Sequence, residues 1–244
     1  TTAAAGDAPF ALEVGEMDAV PTLCAVSLDV SVAVLVARND LPGVVRFWDL
    51  ARRETVAHTR VSRASVCALA MAPSGKRILA GCGDGSVVAL HAPPRMDHQE
   101  AQVVMCGEGD DGENGARRRP VNALAFCPWS EAVWAAGSDA GDVVVCVATT
   151  RTRTAFAAPV CALAFGDTVD VNGAEVALLV ATLDGAVHVW DALACTTRTV
   201  ARPVPGNPPA FSVCALSPTR IAVATTDGCV RLWEFPSAAA GGGS

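Results

Sequence analysis

Apolar and polar residues alternate in short runs along the chain, and one such run returns five times. The segments SVCALAMAP at 65–73, PVNALAFCP at 120–128, PVCALAFGD at 159–167 and SVCALSPT at 212–219 share their opening, and a looser copy, TLCAVSLD, begins at Thr22. Alternation with period two sends successive side chains to opposite faces, so each copy predicts a half-buried β-strand. A turn, a run of β-formers, a second turn and another β-rich run follow each copy. The second copy shows the order most plainly: Ser74 and Gly75 turn the chain, 77–80 is a strand, Asp84 and Gly85 turn it back, and 86–90 is the returning strand. The Asp-Gly pair recurs at Asp184 and Gly185 and at Asp227 and Gly228. Asp-Gly between apolar runs predicts a tight hairpin, because glycine reaches positive φ without steric cost.

Three returning strands end in tryptophan followed by an acidic residue: VVRFWDL at 44–50, AVHVWDA at 186–192 and CVRLWEF at 229–235. With these motifs the sequence resembles the WD-repeat family over nearly all of residues 10–236. The resemblance implies an all-β fold, a β-propeller of four-stranded antiparallel blades, with five blades recognisable. The equivalent positions Cys24, Cys67, Asn122, Cys161 and Cys214 are spaced around the roughly 40 to 45 residues of one blade. Longer intervals place insertions at 92–119, 167–174 and 202–209. Blades are expected at 17–62, 63–119, 120–158, 159–210 and 211–236, with fourth strands at 55–61, 102–106, 154–158 and 197–201. The fifth blade lacks a fourth strand of its own. Residues 9–16, above all 10–15, are expected to close the ring there, and 237–244 to form a flexible tail. Rings of this family more commonly have seven blades, so five imply a small closed ring, a fragment, or a ring that a partner completes.

The sequence departs from the family pattern in two ways. It has no Gly-His pair before a first strand, and none of His58, His91, His98 and His188 stands where the family places its blade histidine. The tryptophan position is Leu90 in the second blade and Cys146 in the third. Apolar packing, more than a polar network, is therefore expected to hold the blades.

Composition narrows the setting. Hydrophobic residues make up 51% of the 244 and charged residues 18%, enough apolar matter for a sizeable core. The net charge of −7 argues against an extensive nucleic-acid surface, which needs clustered Lys and Arg. Apolar runs such as 32–37 and 176–181 are too short for a membrane span, so a soluble chain is expected, and no charged-then-apolar leader follows Thr1, so an N-terminal targeting segment is expected to be absent or already removed. Four of the 10 cysteines, Cys24, Cys67, Cys161 and Cys214, fall at one position of the repeat, where a small apolar side chain fits a buried strand. Free packing cysteines imply a reducing, intracellular compartment, cytoplasm or nucleus.

Candidate chemistry is sparse. GCGDGS at 81–86 and Ser74 to Lys76 have the letters of phosphate loops but open no helix, so they read as hairpin turns. His91, His98 and Cys106 lack the paired spacing of a structural zinc site, Cys127 and Cys146 are isolated, and no nucleophile-elbow motif is present. No catalytic residue, cofactor, metal or small-molecule substrate is expected. The insertion after the second blade carries Glu108, Asp110, Asp111 and Glu113 and then Arg117, Arg118 and Arg119, a solvated loop or, since Arg grips carboxylates and phosphates bidentately, a docking element. The turn carboxylates Asp84, Asp184 and Asp227 read first as turn formers and second as partner contacts. The WD-repeat resemblance implies a non-catalytic scaffold binding other protein subunits in a eukaryotic intracellular complex. The alternative is a ribonucleoprotein subunit touching RNA through its Arg-bearing loops. The chain has no Tyr, unusual for an interaction surface.

Overall fold

The computed structural model describes residues 21–27, 31–37, 41–92, 102–105, 119–166, 177–201, 208–217 and 220–234. They form five antiparallel sheets whose strands follow chain order. The first holds β1 (Pro21–Val26), β2 (Val32–Ala37), β3 (Val44–Asp49) and β4 (Glu54–Arg60). The second holds β5 (Val66–Met71), β6 (Arg77–Cys82), β7 (Val87–His91) and β8 (Gln102–Met105). The third holds β9 (Val121–Cys127), β10 (Ser130–Ser138), β11 (Asp142–Val147) and β12 (Thr150–Ala155). The fourth holds β13 (Val160–Phe165), β14 (Ala177–Thr182), β15 (Val187–Asp191) and β16 (Thr196–Ala201). The fifth has three strands among the described residues, β17 (Ala210–Ser217), β18 (Arg220–Thr225) and β19 (Val230–Glu234). The expected closing strand at 10–15 and the tail at 237–244 lie outside the described residues.

Each sheet packs face to face on the next, because alternation gives every strand one set of apolar side chains per face. The second and third strands of a sheet present one face forward, toward the following sheet: Val34 and Phe47 in the first, Leu79 and Ala89 in the second, Ala135 and Val145 in the third, Leu179 and Val189 in the fourth. Backward-facing cross-strand pairs meet them: Ile78 and Leu90, Trp134 and Cys146, Leu178 and Trp190, Ile221 and Trp233. Four apolar cores result, one per seam. The third sheet shows how the missing tryptophan is replaced. Cys146 stands at the tryptophan position of β11, and its cross-strand neighbour Trp134 on β10 supplies the bulk in the same core.

The turn between second and third strands carries a positive-φ glycine in all five sheets: Gly43, Gly85, Gly141, Gly185 and Gly228. The first strands hold a second regularity that the letters do not show. A β-bulge skips Thr22, Cys67, Asn122, Cys161 and Phe211 in the five sheets. Val160 pairs with Thr182 and Ala210 with Thr225, so Ala210 is the counterpart of Val160. The SVCAL letters of the fifth copy are therefore displaced by three residues from their structural register, and Cys24 in the first copy by two. This overturns the expectation that four cysteines share a buried site. Cys67 and Cys161 are bulge residues and half-buried, Cys24 and Cys214 are exposed, and the buried thiols are Cys82, Cys127 and Cys146. The fourth strand of the third sheet is also earlier than expected, the polar run Thr150–Ala155 in place of 154–158.

Candidate functional site

The turns joining second to third strands and the loops entering the first strands meet at one end of the sheets. Backbone bonds tie them: the Gly83 amide donates to Ser65 O, Asp139 to Pro120 O, Leu183 to Pro159 O and Thr226 to Pro209 O, each at 2.8–3.0 Å. This turn end therefore collects Asp84, Asp184, Asp227 and Arg119. Arg119 is exposed just before β9, whereas Arg117 and Arg118 lie outside the described residues.

Each aspartate closes its own turn. Asp84 accepts from the Ser86 amide at 3.0 Å, the Ser86 hydroxyl at 2.6 Å and the Ser62 hydroxyl at 2.9 Å, the last tying the turn to the loop before β5. Asp184 accepts from Thr182 Oγ1 at 2.6 Å and the Ala186 amide at 3.2 Å. Asp227 repeats this with Thr225 and the Cys229 amide and adds an ion pair to Arg231 at 2.6 Å. The Arg231 guanidinium and the Thr225 hydroxyl hold the Asp227 carboxyl far below the usual carboxylate range. Polar ties thus survive in these sheets beside the apolar packing, built from Thr, Ser and Asp without the family's histidine.

Between the third and fourth sheets the turn end opens into a groove of about 640 Å³. One wall is the chain leaving β12, with Phe156; the other is Asp184, His188, Thr197 and Arg198. Phe156 and His188 stack with ring centroids 4.7 Å apart and planes tilted by 38°. His188 Nδ1 lies 3.1 Å from Thr199 Oγ1. Burial lowers the imidazole pKa below its ordinary 6.5, opposed by the nearby Asp184 carboxylate. Asp184 was singled out in the sequence; Phe156, His188 and Arg198 were not. One signal was available, since the residue three past the turn glycine is Arg46, His188 or Arg231 in three sheets and valine in the other two. Among the described residues no group of three or more His, Cys, Asp or Glu converges on a metal-sized site. Burial raises the thiol pKa values of Cys67, Cys82 and Cys161, and that of Cys146 to about 11, against nucleophile chemistry there. No helix among the described residues is long and apolar enough to cross a membrane.

Residues 53–88 match the family model of the WD domain, G-beta repeat. In structure, a chain in the crystal structure of the mitotic checkpoint complex is similar over 88% of this chain and 64% of that one, with a TM-score of 0.64 and 15% sequence identity. The chain has a β-propeller fold, and residues 53–88 are a WD repeat within it. No curated protein matches it in sequence. The matched repeat runs from before β4 into β7, so one repeat of this WD propeller carries the last strand of one sheet and most of the next. The propeller spans less than two thirds of the similar chain. Since 1421 chains of solved structures match this fold, the WD architecture alone selects no partner.

Proposed function

We propose that this WD propeller is a non-catalytic scaffold that holds other protein subunits in a eukaryotic intracellular assembly, in cytoplasm or nucleus, docking them at its turn end. The groove between the third and fourth sheets carries the reading. It joins an aromatic contact between its two walls, Phe156 on His188, to polar and charged groups at its rim, the mixture that recognises a peptide segment. Arg119, exposed at the same end, adds a group suited to carboxylates, and the Arg117 to Arg119 run is the proposed second contact. The position of a similar fold within a multiprotein complex supports the same reading. A ribonucleoprotein role rests on those arginines alone, and the net charge of −7 weighs against it.

The test is recovery of partners from the chain's own cells. Thr197→Arg fills the groove from an exposed wall position, and R117A/R118A/R119A removes the basic run. Reduced partner recovery with an unchanged thermal midpoint supports docking here. Recovery equal to wild type in both variants refutes it. Partners lost to ribonuclease treatment or to a modest rise in salt would favour RNA.

A further inference from the structure

We infer that the groove between the third and fourth sheets takes an arginine side chain from a docked protein segment, held by the Asp184 carboxylate. The inference rests on the docking reading above and names the group that this site recognises. Its basis is a comparison within the molecule. The Asp-Gly turns of the fourth and fifth sheets are built alike. Thr182 and Thr225 each donate a hydroxyl to Oδ1 of the turn aspartate at 2.6 Å, and the Ala186 and Cys229 amides donate to the same oxygens at 3.2 and 3.1 Å. In the fifth sheet the residue three past the turn glycine is Arg231. Its guanidinium closes on Asp227 as a fork, Nη1 to Oδ1 at 3.1 Å and Nη2 to Oδ2 at 2.6 Å, and Nη1 also donates to Thr225 Oγ1.

In the fourth sheet that place belongs to His188, whose Nδ1 is 3.1 Å from Thr199 Oγ1 and whose ring lies on Phe156. Among the described residues no donor reaches Asp184 Oδ2, the oxygen whose counterpart Arg231 grips. The groove opens beside it, and Thr182, Asp184 and His188 all line it. Two turns of one design thus differ by a cation, and the fifth sheet shows which cation fits.

The charges around the groove agree. Burial keeps His188 neutral at neutral pH. Arg198 pairs with Val189, whereas Thr197 and Thr199 pair with Trp190 and His188, so alternation starts the Arg198 side chain from the opposite face of the sheet. On the facing sheet Arg151 and Arg153 pair with Cys146 and Val144, which belong to the core on the far side. Among the described residues, the Asp184 carboxylate is therefore the charge presented to the groove. A planar guanidinium matches its two oxygens better than an ammonium does, and Phe156 offers an aromatic ring in the same groove. At about 640 Å³ the groove has room for so long a side chain.

The probe is the peptide acetyl-Ala-Arg-Ala-amide, titrated at millimolar concentration into the full chain and followed by NMR. The expected result is saturable shifts of the His188 imidazole and of the amides of residues 182–186. Affinity should fall about tenfold when citrulline, a neutral isostere, replaces the arginine, and about threefold with lysine. Asp184→Asn keeps a carbonyl oxygen for Thr182 and Ala186 and should abolish the shifts. His188→Arg tests the same point without touching the turn: it installs the fork of the fifth sheet and should abolish probe binding at a thermal midpoint no lower than wild type. No saturable shift in wild type, equal affinity for the citrulline peptide, or binding that survives both variants overturns the inference. Partner recovery lowered by Thr197→Arg without arginine binding leaves the docking reading and removes the arginine. Arginine binding with undiminished partner recovery removes the docking reading and keeps the guanidinium site.

Discussion

Gly137→Ala measures how tightly the third and fourth sheets are set. A Cβ at residue 137 would lie 2.5 Å from Val160 Cγ1, 2.9 Å from Val160 Cβ and 3.3 Å from Leu163 Cδ1. Carbon atoms rest at about 3.5–4.0 Å, so the overlap is about 1 Å. Rotating Val160 does not relieve it, because its Cβ is itself too close and moves only with the backbone. Val160 is fully buried and paired to Thr182, so relief means shifting β13 and the sheet behind it. Overpacking of this kind costs about 1–3 kcal/mol, and the short backbone-linked contact places this case near about 3. For a chain of this length that is a fall of about 6–12 °C in thermal midpoint. The assay is chemical and thermal unfolding followed by circular dichroism, on Gly137→Ala, Val160→Ala and the pair together. The double variant should recover only part of the loss, since Val160→Ala removes the methyl contact at 2.5 Å and leaves the Cβ contact at 2.9 Å. The chain already makes this exchange one seam on, where Ala181 and Ala210 share a core. Ala224→Val, at the same position on the forward face of the fifth sheet, which no other described sheet covers, should change stability by less than about 0.5 kcal/mol. Gly137→Ala within about 0.5 kcal/mol of wild type, or Ala224→Val as damaging as Gly137→Ala, would refute the seam geometry.

Further outcomes follow from the same structure. Trp190→Ala should cost about 3–5 kcal/mol in unfolding free energy, whereas Trp233→Ala, half-buried on the terminal sheet, should cost less than half of that. Asp84→Ala removes the acceptor of three hydrogen bonds and should destabilise by about 1–3 kcal/mol, measured by urea unfolding. His188 has a folded pKa lowered by burial, so its neutral form contributes stability above the ordinary 6.5 that is lost as pH falls toward the lowered value; thermal midpoints of wild type and His188→Gln should converge over that window. Maleimide labelling of the native chain should reach Cys195, Cys214 and Cys229 and spare Cys82, Cys127 and Cys146 until unfolding, read by peptide mass.

The strand pattern was legible because alternation, Asp-Gly turns and terminal tryptophans are local signals. Register was not. The letters VCAL mark an alternating apolar strand, and such a strand looks alike when slid along itself; bulges at Cys67 and Cys161 and the anchor at Pro209 decide its placement. The fourth strand at Thr150–Ala155 was sought among apolar residues, although an outermost strand needs only one apolar edge, and TRTRTA alternates polar residues instead. The aspartates were legible as turn residues. The groove was not, because Phe156 and His188 come together only when two sheets pack.

The staggered placement of residues 53–88 bears on how such a chain lengthens. A duplicated stretch of those bounds brings a rim strand for the existing neighbour together with most of a new sheet. Each added module is thus latched to its predecessor by hydrogen bonds as well as by side-chain packing. Growth by whole modules keeps the latch intact, while a deletion that respects sheet borders would break it.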